Sequence, residues 1–138
     1  MLAEDVEREL RNWALWRSAG GWAYLRGSAG LVANYSPVAT RYREATVPVL
    51  GGAATDVDGI VQELADSLRA ALHAHYLNED VTRGRRIPSA FTVAQVAREI
   101  GCAERTYRLH LEHGRKAVGE RLAEKRRRTE ALRPVREP

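Results

Sequence analysis

The stretch from Phe91 to Val118 constrains the fold of this chain more than any other, because it predicts two helices joined by a tight turn. Thr92 is placed to cap the first helix, and Gln95 three residues later completes a capping box. Gly101 is expected to end this helix, since glycine adopts a positive φ without a Cβ clash. The apolar face of the helix is predicted to contain Val93, Val96, Ala97 and Ile100.

The second helix is expected to begin near Ala103. Small Ala97 allows it to cross close over the first helix. Two helices in this arrangement are typical of a helix-turn-helix, whose second helix reads DNA in the major groove. An ordinary helical hairpin with solvated charges is the alternative. The apolar stripe that predicts the buried side of the second helix consists of Tyr107, Leu111, Val118 and Leu122.

The opposite side of the second helix carries polar residues suited to base edges. Arginine bonds guanine bidentately, and glutamate accepts a hydrogen bond from the cytosine amine. The first turns of a recognition helix meet the bases, so the candidate DNA-reading residues are Glu104, Arg105, Thr106 and Arg108. Glu112 and Arg115 lie on or beside the same side.

The net charge of +4 conceals two unlike halves. Residues 1–81 contain 7 Lys and Arg against 11 Asp and Glu, whereas residues 82–138 contain 15 against 7. A basic half is expected of a phosphate-binding surface, and an acidic half suits packing or a protein partner. We therefore divide the chain into an N-terminal helical part, 1–81, a helix-turn-helix part, 82–122, and a basic tail, 123–138.

Two further helices are predicted in the N-terminal part. Residues 2–18 form the first, and its two tryptophans are either core anchors or a protein-docking surface. Its stripe is Leu2, Val6, Leu10 and Trp13, with Trp16 beside it. The second runs unbroken from Thr55 to Leu77, has Thr55 and Asp58 as capping candidates, and serves as the scaffold for the helix-turn-helix. Its stripe is Val57, Ile60, Val61, Leu64, Leu68, Ala71, Leu72 and Tyr76.

The remaining segments are expected to be less regular. Residues 18–55 are predicted to form loops and short turns, with aromatic residues that either pack or stack on single-stranded nucleic acid: Trp22, Tyr24, Tyr35 and Tyr42. The polar connector from Asn78 to Ser89 carries Arg83, Arg85 and Arg86, which reach phosphates or are solvated. The tail contains the run Lys125 to Arg128, expected in a solvated helix end or a flexible basic arm, and Pro134 and Pro138 argue against helix in the last residues.

Composition and motifs argue against several classes of protein. One cysteine, Cys102, excludes an internal disulfide, and no apolar run approaches the roughly 20 residues of a membrane span. The acidic N-terminus is unlike a signal peptide, so a soluble, intracellular protein is expected. We find no phosphate loop, nucleophile turn or acid/base pair, and the four histidines lack partners at metal-ligand spacing. We therefore expect neither an enzyme nor a bound metal or cofactor.

The order of these elements resembles the small helical Q antitermination proteins of lambdoid phages. The resemblance covers roughly residues 10–122 and rests on RNWALWRSAGGW, DVDGIVQELADSL, ALHAHYL and VAREIGCAERTYRLHLEHG, with a Gly/Pro-containing middle segment. The helix-turn-helix also looks like region four of bacterial sigma factors. The resemblance implies an all-α fold, a small helical bundle with a sigma-region-four-like helix-turn-helix in the C-terminal half. One cysteine cannot supply the site of zinc-containing Q proteins.

Proteins of that family bind a double-stranded promoter element of phage late genes and load onto paused RNA polymerase that still holds sigma. They then travel with the enzyme and narrow the RNA exit channel, so that terminator hairpins cannot form. By position, the resemblance implies DNA reading by Glu104, Arg105, Thr106 and Arg108, and phosphate contacts from Thr92, Gln95, Arg115 and Lys116. It places the polymerase contacts mainly in the N-terminal half and the middle segment, and the protein in the host bacterial cytoplasm.

Two other functions remain open at the sequence level. One is a helix-turn-helix repressor or activator that acts only at initiation. The other is a sigma-factor or polymerase inhibitor without specific DNA binding, whose arginines keep it soluble. The sequence does not indicate the oligomeric state.

Overall fold

The computed structural model of the chain describes residues 1–21 and 51–132, and these residues are mostly α-helical. An all-α architecture is therefore confirmed at the level of fold class, with one small sheet that the sequence did not predict. The elements are α1 (Ala3–Ser18), α2 (Gly51–Glu63), α3 (Asp66–Leu77), β1 (Glu79–Asp80), β2 (Arg85–Arg86), α4 (Val93–Glu99) and α5 (Glu104–Ala131). Most of the aromatic middle segment lies outside the described residues, as do Pro134 and Pro138.

Helix α1 lies where the apolar stripe predicts it. Val6, Leu10, Trp13 and Trp16 are buried, and both indole rings are fully covered. The tryptophans are therefore core anchors, and the docking-surface interpretation is wrong. The predicted place of Leu2 in the apolar stripe is wrong, because Leu2 precedes the helix as its N-cap residue and is 70% exposed.

The single helix predicted from Thr55 to Leu77 is wrong, because the structure contains two helices there. Ala65 lies between the two helices and is the N-cap residue of α3. Its backbone is extended (φ −54°, ψ 145°) and not helical. Neither glycine nor proline occurs between Leu64 and Asp66, so no local breaker marks the interruption. Leu64 stays in the core, which explains why the apolar stripe continues across the break.

The capping roles predicted for Thr55 and Asp58 are also wrong. Helix α2 begins at Gly51, four residues before Thr55, so Asp58 lies in its third turn, where it is buried. The hydroxyl of Thr55 donates to the carbonyl oxygen of Gly52 at 2.9 Å, within the helix. Asp58 instead accepts hydrogen bonds inside the core.

The connector after α3 folds back on itself as a β-hairpin. Asn78 ends α3 in the left-handed region (φ 50°), and β1 pairs with β2 in antiparallel register, Glu79 opposite Arg86 and Asp80 opposite Arg85. The amide of Ile87 donates to the carbonyl oxygen of Asn78 at 2.7 Å. Strands of two residues are too short for alternation to appear in a sequence, which is why the hairpin was not predicted.

Helix α5 forms the centre of the core. Gly114 faces Leu72 of α3, where an added Cβ would lie 3.1 Å from Leu72 Cγ, and Gly119 faces Val6 of α1. One apolar cluster contains residues from both sides of the 81/82 boundary. The boundary is therefore a division of charge and not of the core. No helix among residues 1–21 and 51–132 combines the length and apolar character that a membrane span requires.

The basic tail begins as a continuation of α5, which is helical to Ala131. Lys125 Nζ contacts Asp56 at 2.9 Å, Arg126 pairs with Glu9, and both Arg127 and Arg128 pair with Glu124. Part of the basic run thus ties α5 to α1 and α2. Residues 133–138 lie outside the described residues.

Candidate nucleic-acid interface

The capping box at the start of α4 is confirmed. The amide of Gln95 donates to Thr92 Oγ1 at 3.2 Å, and the amide of Thr92 donates to Gln95 Oε1 at 2.8 Å. These two bonds satisfy amides that a helix start leaves without partners. Val96 and Ala97 of α4 are buried against the rest of the core.

The turn between α4 and α5 has the predicted geometry. Gly101 adopts φ +86°, and the amide of Cys102 donates to the carbonyl oxygen of Ala97 at 2.9 Å. Ala103 is extended (φ −70°, ψ 150°), and α5 starts at Glu104. The two helices are therefore separated by a tight turn that requires a left-handed residue, and glycine supplies it without strain.

Helix α5 has one buried side and one exposed side. The predicted stripe is confirmed, because all four of its residues are buried: Tyr107, Leu111, Val118 and Leu122. The first turns also present a shallow depression of about 310 Å³ to solvent. We call its lining residues the outward face: Glu104, Arg105, Arg108, Leu109 and Glu112.

The charged side chains of the outward face differ in whether they form ion pairs within the protein. Arg108 Nε and Nη2 donate to Glu104 Oε1 at 3.3 and 3.0 Å. The two residues lie one helical turn apart, and both side chains are well exposed. An exposed pair of this kind contributes only about 0.3–0.5 kcal/mol, so a ligand can compete for either partner. Arg105 is exposed and forms no hydrogen bond or ion pair with another described residue. Its guanidinium is therefore available without breaking an interaction; Thr106 is half-buried.

Thr92 and Gln95 keep hydrogen-bonding capacity despite their role as caps. Each uses an acceptor oxygen in the capping box, which leaves the hydroxyl proton of Thr92 and the amide protons of Gln95 free to donate. Both residues are exposed. Their predicted contact with phosphate stays a prediction that is compatible with the capping geometry.

Arg115 is partly buried and interacts with side chains of two other helices. Its Nε donates to the Tyr76 hydroxyl at 2.8 Å, Nη2 lies 3.1 Å from His75 Nε2, and the guanidinium sits over the Tyr76 ring at 5.6 Å. Tyr76 donates in turn to Glu7, which also lies 3.7 Å from Arg115. Because this network joins α1, α3 and α5, we assign Arg115 a packing role and omit it from the outward face. Lys116 is exposed, with no such partner among the described residues.

The pKa values of the network reflect its partial burial. Burial, together with the hydrogen bond to Glu7, raises the pKa of Tyr76 to about 12. Burial opposes ionisation of Glu7, but hydrogen bonds from Tyr76 and Arg11 outweigh it and lower the pKa of that carboxyl. Burial and the nearby charge of Arg115 lower the pKa of His75. These shifts keep Glu7 ionised and Tyr76 protonated, as the network requires.

The hairpin is held against the end of α4. Arg83 Nη1 donates to the carbonyl oxygen of Glu99 at 3.0 Å, and Arg85 Nη2 contacts Glu99 Oε1 at 2.6 Å. Arg86 is exposed and, within the described part of the chain, has no ion-pair partner. All three arginines of this connector are exposed. Arg83 and Arg85 anchor it to α4, and Arg86 does not.

A separate buried polar cluster lies between α1, α2 and α3, away from the outward face. Asp58 Oδ1 accepts from Trp13 Nε1 at 3.0 Å and from Arg17 Nη1 at 2.7 Å. Gln62 Nε2 lies 3.3 Å from His73 Nε2, and His73 is 1% exposed. Burial, followed by the charge of Arg17, lowers the pKa of His73. The cluster provides partners inside the core for the Trp13 indole N–H and the Asp58 carboxylate, while His73 Nδ1 lies 3.8 Å from Glu79 Oε2.

Leu109 is the residue of the outward face that the sequence analysis did not single out. It is 43% exposed between Arg105 and Glu112. Its position in the sequence could have identified it. Leu109 follows Tyr107 by two residues, which places it on the side of the helix opposite the buried stripe.

Residues 1–21 and 51–132 contain no group of three or more histidine, cysteine, aspartate or glutamate side chains placed to hold a metal ion. No protein family, curated protein sequence or solved structure matches the chain in comparisons with known proteins.

Proposed function

We propose that this protein is a transcription regulator that binds double-stranded DNA through the outward face of α5. In this proposal α4, the turn at Gly101 and α5 form a helix-turn-helix. The observation that carries it is the pairing of two features on α5: a fully buried apolar stripe and, opposite it, exposed Arg105, Arg108 and Glu112 in the first three turns. Those are the turns that a recognition helix places in the major groove.

The distribution of charge supports the same proposal. Residues 82–138 carry 15 Lys and Arg against 7 Asp and Glu, and excess positive charge attracts the phosphate backbone regardless of sequence. Lys116 extends the outward face by one turn, while Arg98 of α4 and Arg86 of β2 add exposed positive charge. Base edges would then be read by Arg105 and Arg108, and phosphates would be bound by the surrounding cations together with Thr92 and Gln95.

The finer proposal is antitermination at a phage late promoter, with RNA polymerase and its sigma factor as protein partners. Its support is the order of elements: a tryptophan-bearing first helix, a helical scaffold and a basic helix-turn-helix, as in the Q proteins. In such a protein the acidic N-terminal part would contact polymerase and the basic part DNA. A regulator that acts only at initiation uses the same DNA-binding geometry, so transcription must separate the two.

Single-round transcription by a bacterial RNA polymerase holoenzyme tests this proposal. The template carries a promoter that contains the duplex motif selected by the protein, followed by a strong intrinsic terminator. Antitermination predicts more full-length transcript with the wild-type protein, only when the motif is present, and loss of this gain with Arg105→Ala. A change in initiation without read-through would identify an initiation regulator. No effect of the motif on either step would contradict transcription regulation through DNA.

A further inference from the structure

Leu109 is an apolar side chain at the centre of a charged surface. The other large apolar residues exposed in the described chain lie at or near its ends: Met1, Leu2 and Leu132. Leu109 instead lies in the second turn of a long helix, one turn after Arg105 and three residues before Glu112. We propose that Leu109 reads DNA by contacting the C5 methyl group of a thymine. This inference rests on the proposed DNA-binding function.

The geometry places Leu109 with the polar residues of the outward face. Residues at i, i+3, i+4 and i+7 share one side of a helix, and Arg105, Arg108, Leu109 and Glu112 have this spacing. Together with Glu104 they line the shallow depression of about 310 Å³. Any base pair that Arg105 contacts would therefore have a neighbour within reach of Leu109.

The chemistry of the major groove leaves one partner for such a side chain. Each base pair presents hydrogen-bond donors and acceptors there, and the thymine methyl is the apolar group on that edge. Leucine has no donor or acceptor, so it cannot satisfy the polar groups of guanine, cytosine or adenine. Contact with a thymine methyl would remove apolar surface of both groups from water, which is favourable by about 0.8 kcal/mol per buried methylene-sized group.

The test uses uracil, which differs from thymine by the absence of the methyl group. A duplex is selected by the wild-type protein from a random-sequence library, and each thymine is then replaced singly by deoxyuridine. We expect one position at which this replacement weakens binding of the wild-type protein about fourfold, as the loss of one buried methyl predicts. For Leu109→Ala, the same replacement should have no effect. Leu132→Ala, the same change at another exposed leucine of the chain, should keep the wild-type response.

Three results would overturn the inference while leaving specific DNA binding in place. They are a selected motif without thymine, no position sensitive to loss of the methyl group, and unchanged sensitivity in Leu109→Ala. If the wild-type protein selects no motif at all, the proposed function itself fails. Circular dichroism and thermal unfolding verify that Leu109→Ala is folded, which its exposure favours.

Discussion

Gly119 is the residue at which α5 and α1 approach most closely among the glycines of the described chain. A Cβ added there would lie 2.7 Å from Val6 Cγ2, a separation that real Cβ atoms essentially never show. Valine is branched at Cβ and has few rotamers, so the atom cannot rotate away cheaply. The close contact between the two helices therefore depends on the missing side chain.

We predict that Gly119→Ala lowers the free energy of unfolding by about 1–2 kcal/mol, because overpacking exceeds the helix-propensity gain of about 1 kcal/mol. Urea unfolding measures it. Gly59→Ala is the matched control: Gly59 is exposed in α2 with open space around it, so this change should stabilise by about 0.5–1 kcal/mol. Equal stabilisation by both alanines would contradict the close approach.

Asp58 is the buried charge on which the polar cluster depends. Trp13 and Arg17 both donate to it. Removing one partner of a buried ion pair leaves the other uncompensated, so Asp58→Ala should lower the free energy of unfolding by about 3–5 kcal/mol. Asp66→Ala, at a pair whose carboxylate is 95% exposed, should cost less than about 1 kcal/mol. Similar losses for both variants in denaturant titrations would argue against a cluster of this strength.

At the scale of the elements, features that depend on neighbouring residues were predictable from the sequence, and features that depend on tertiary contacts were not. The capping box, Gly101 and the stripe of α5 were predictable because each depends on a few neighbouring residues. The break at Ala65 and the β-hairpin were not, since tertiary contacts of Leu64, Ile87 and Glu99 hold them. The internal network of Arg115 was not predictable for the same reason: its partners Tyr76 and Glu7 are remote in sequence. Its contact with phosphate stays a prediction.

The capping box leads to a prediction for α4. Thr92→Ala removes the oxygen that accepts from the Gln95 amide, and loss of an N-cap costs about 1 kcal/mol. Thr92→Ser keeps the acceptor and should retain most of the stability. Hydrogen exchange of the first α4 amides measures the local effect. Unchanged protection of the Gln95 amide in Thr92→Ala would show that the cap does not hold the helix.

At the scale of the whole molecule, the lowered pKa values of two histidines couple stability to pH. The folded protein lowers the pKa of His73 and of His75 below the usual value of 6.5. As pH falls through 6.5, the unfolded chain binds protons that the folded chain does not, so stability decreases until the lower folded pKa is reached. The contribution is fully present above pH 6.5.

We therefore predict that the free energy of unfolding falls between pH 7 and pH 5, and that the fall is smaller in His73→Gln. Denaturant titrations at several pH values give the slope, independently of any constant loss of stability in the variant. The pKa of His73 itself is accessible by NMR titration of the ring in the folded protein. Parallel pH profiles for the wild type and His73→Gln would contradict a neutral, buried His73.

The two parts of the chain differ in net charge, but residues of both contribute to one apolar core. The DNA-binding surface must therefore be tested in the full chain. The most direct measurement is the affinity of wild type, Arg105→Ala and Arg121→Ala for the selected duplex and for a scrambled duplex at one salt concentration. Arg121 is exposed on the same helix, beyond the turns that reach base edges. We expect Arg105→Ala to weaken binding to the selected duplex by about 1–3 kcal/mol and to the scrambled duplex far less, whereas Arg121→Ala weakens both slightly and equally. If both variants bind both duplexes as the wild type does, or if the wild type shows no preference between them, the outward face of α5 does not read DNA.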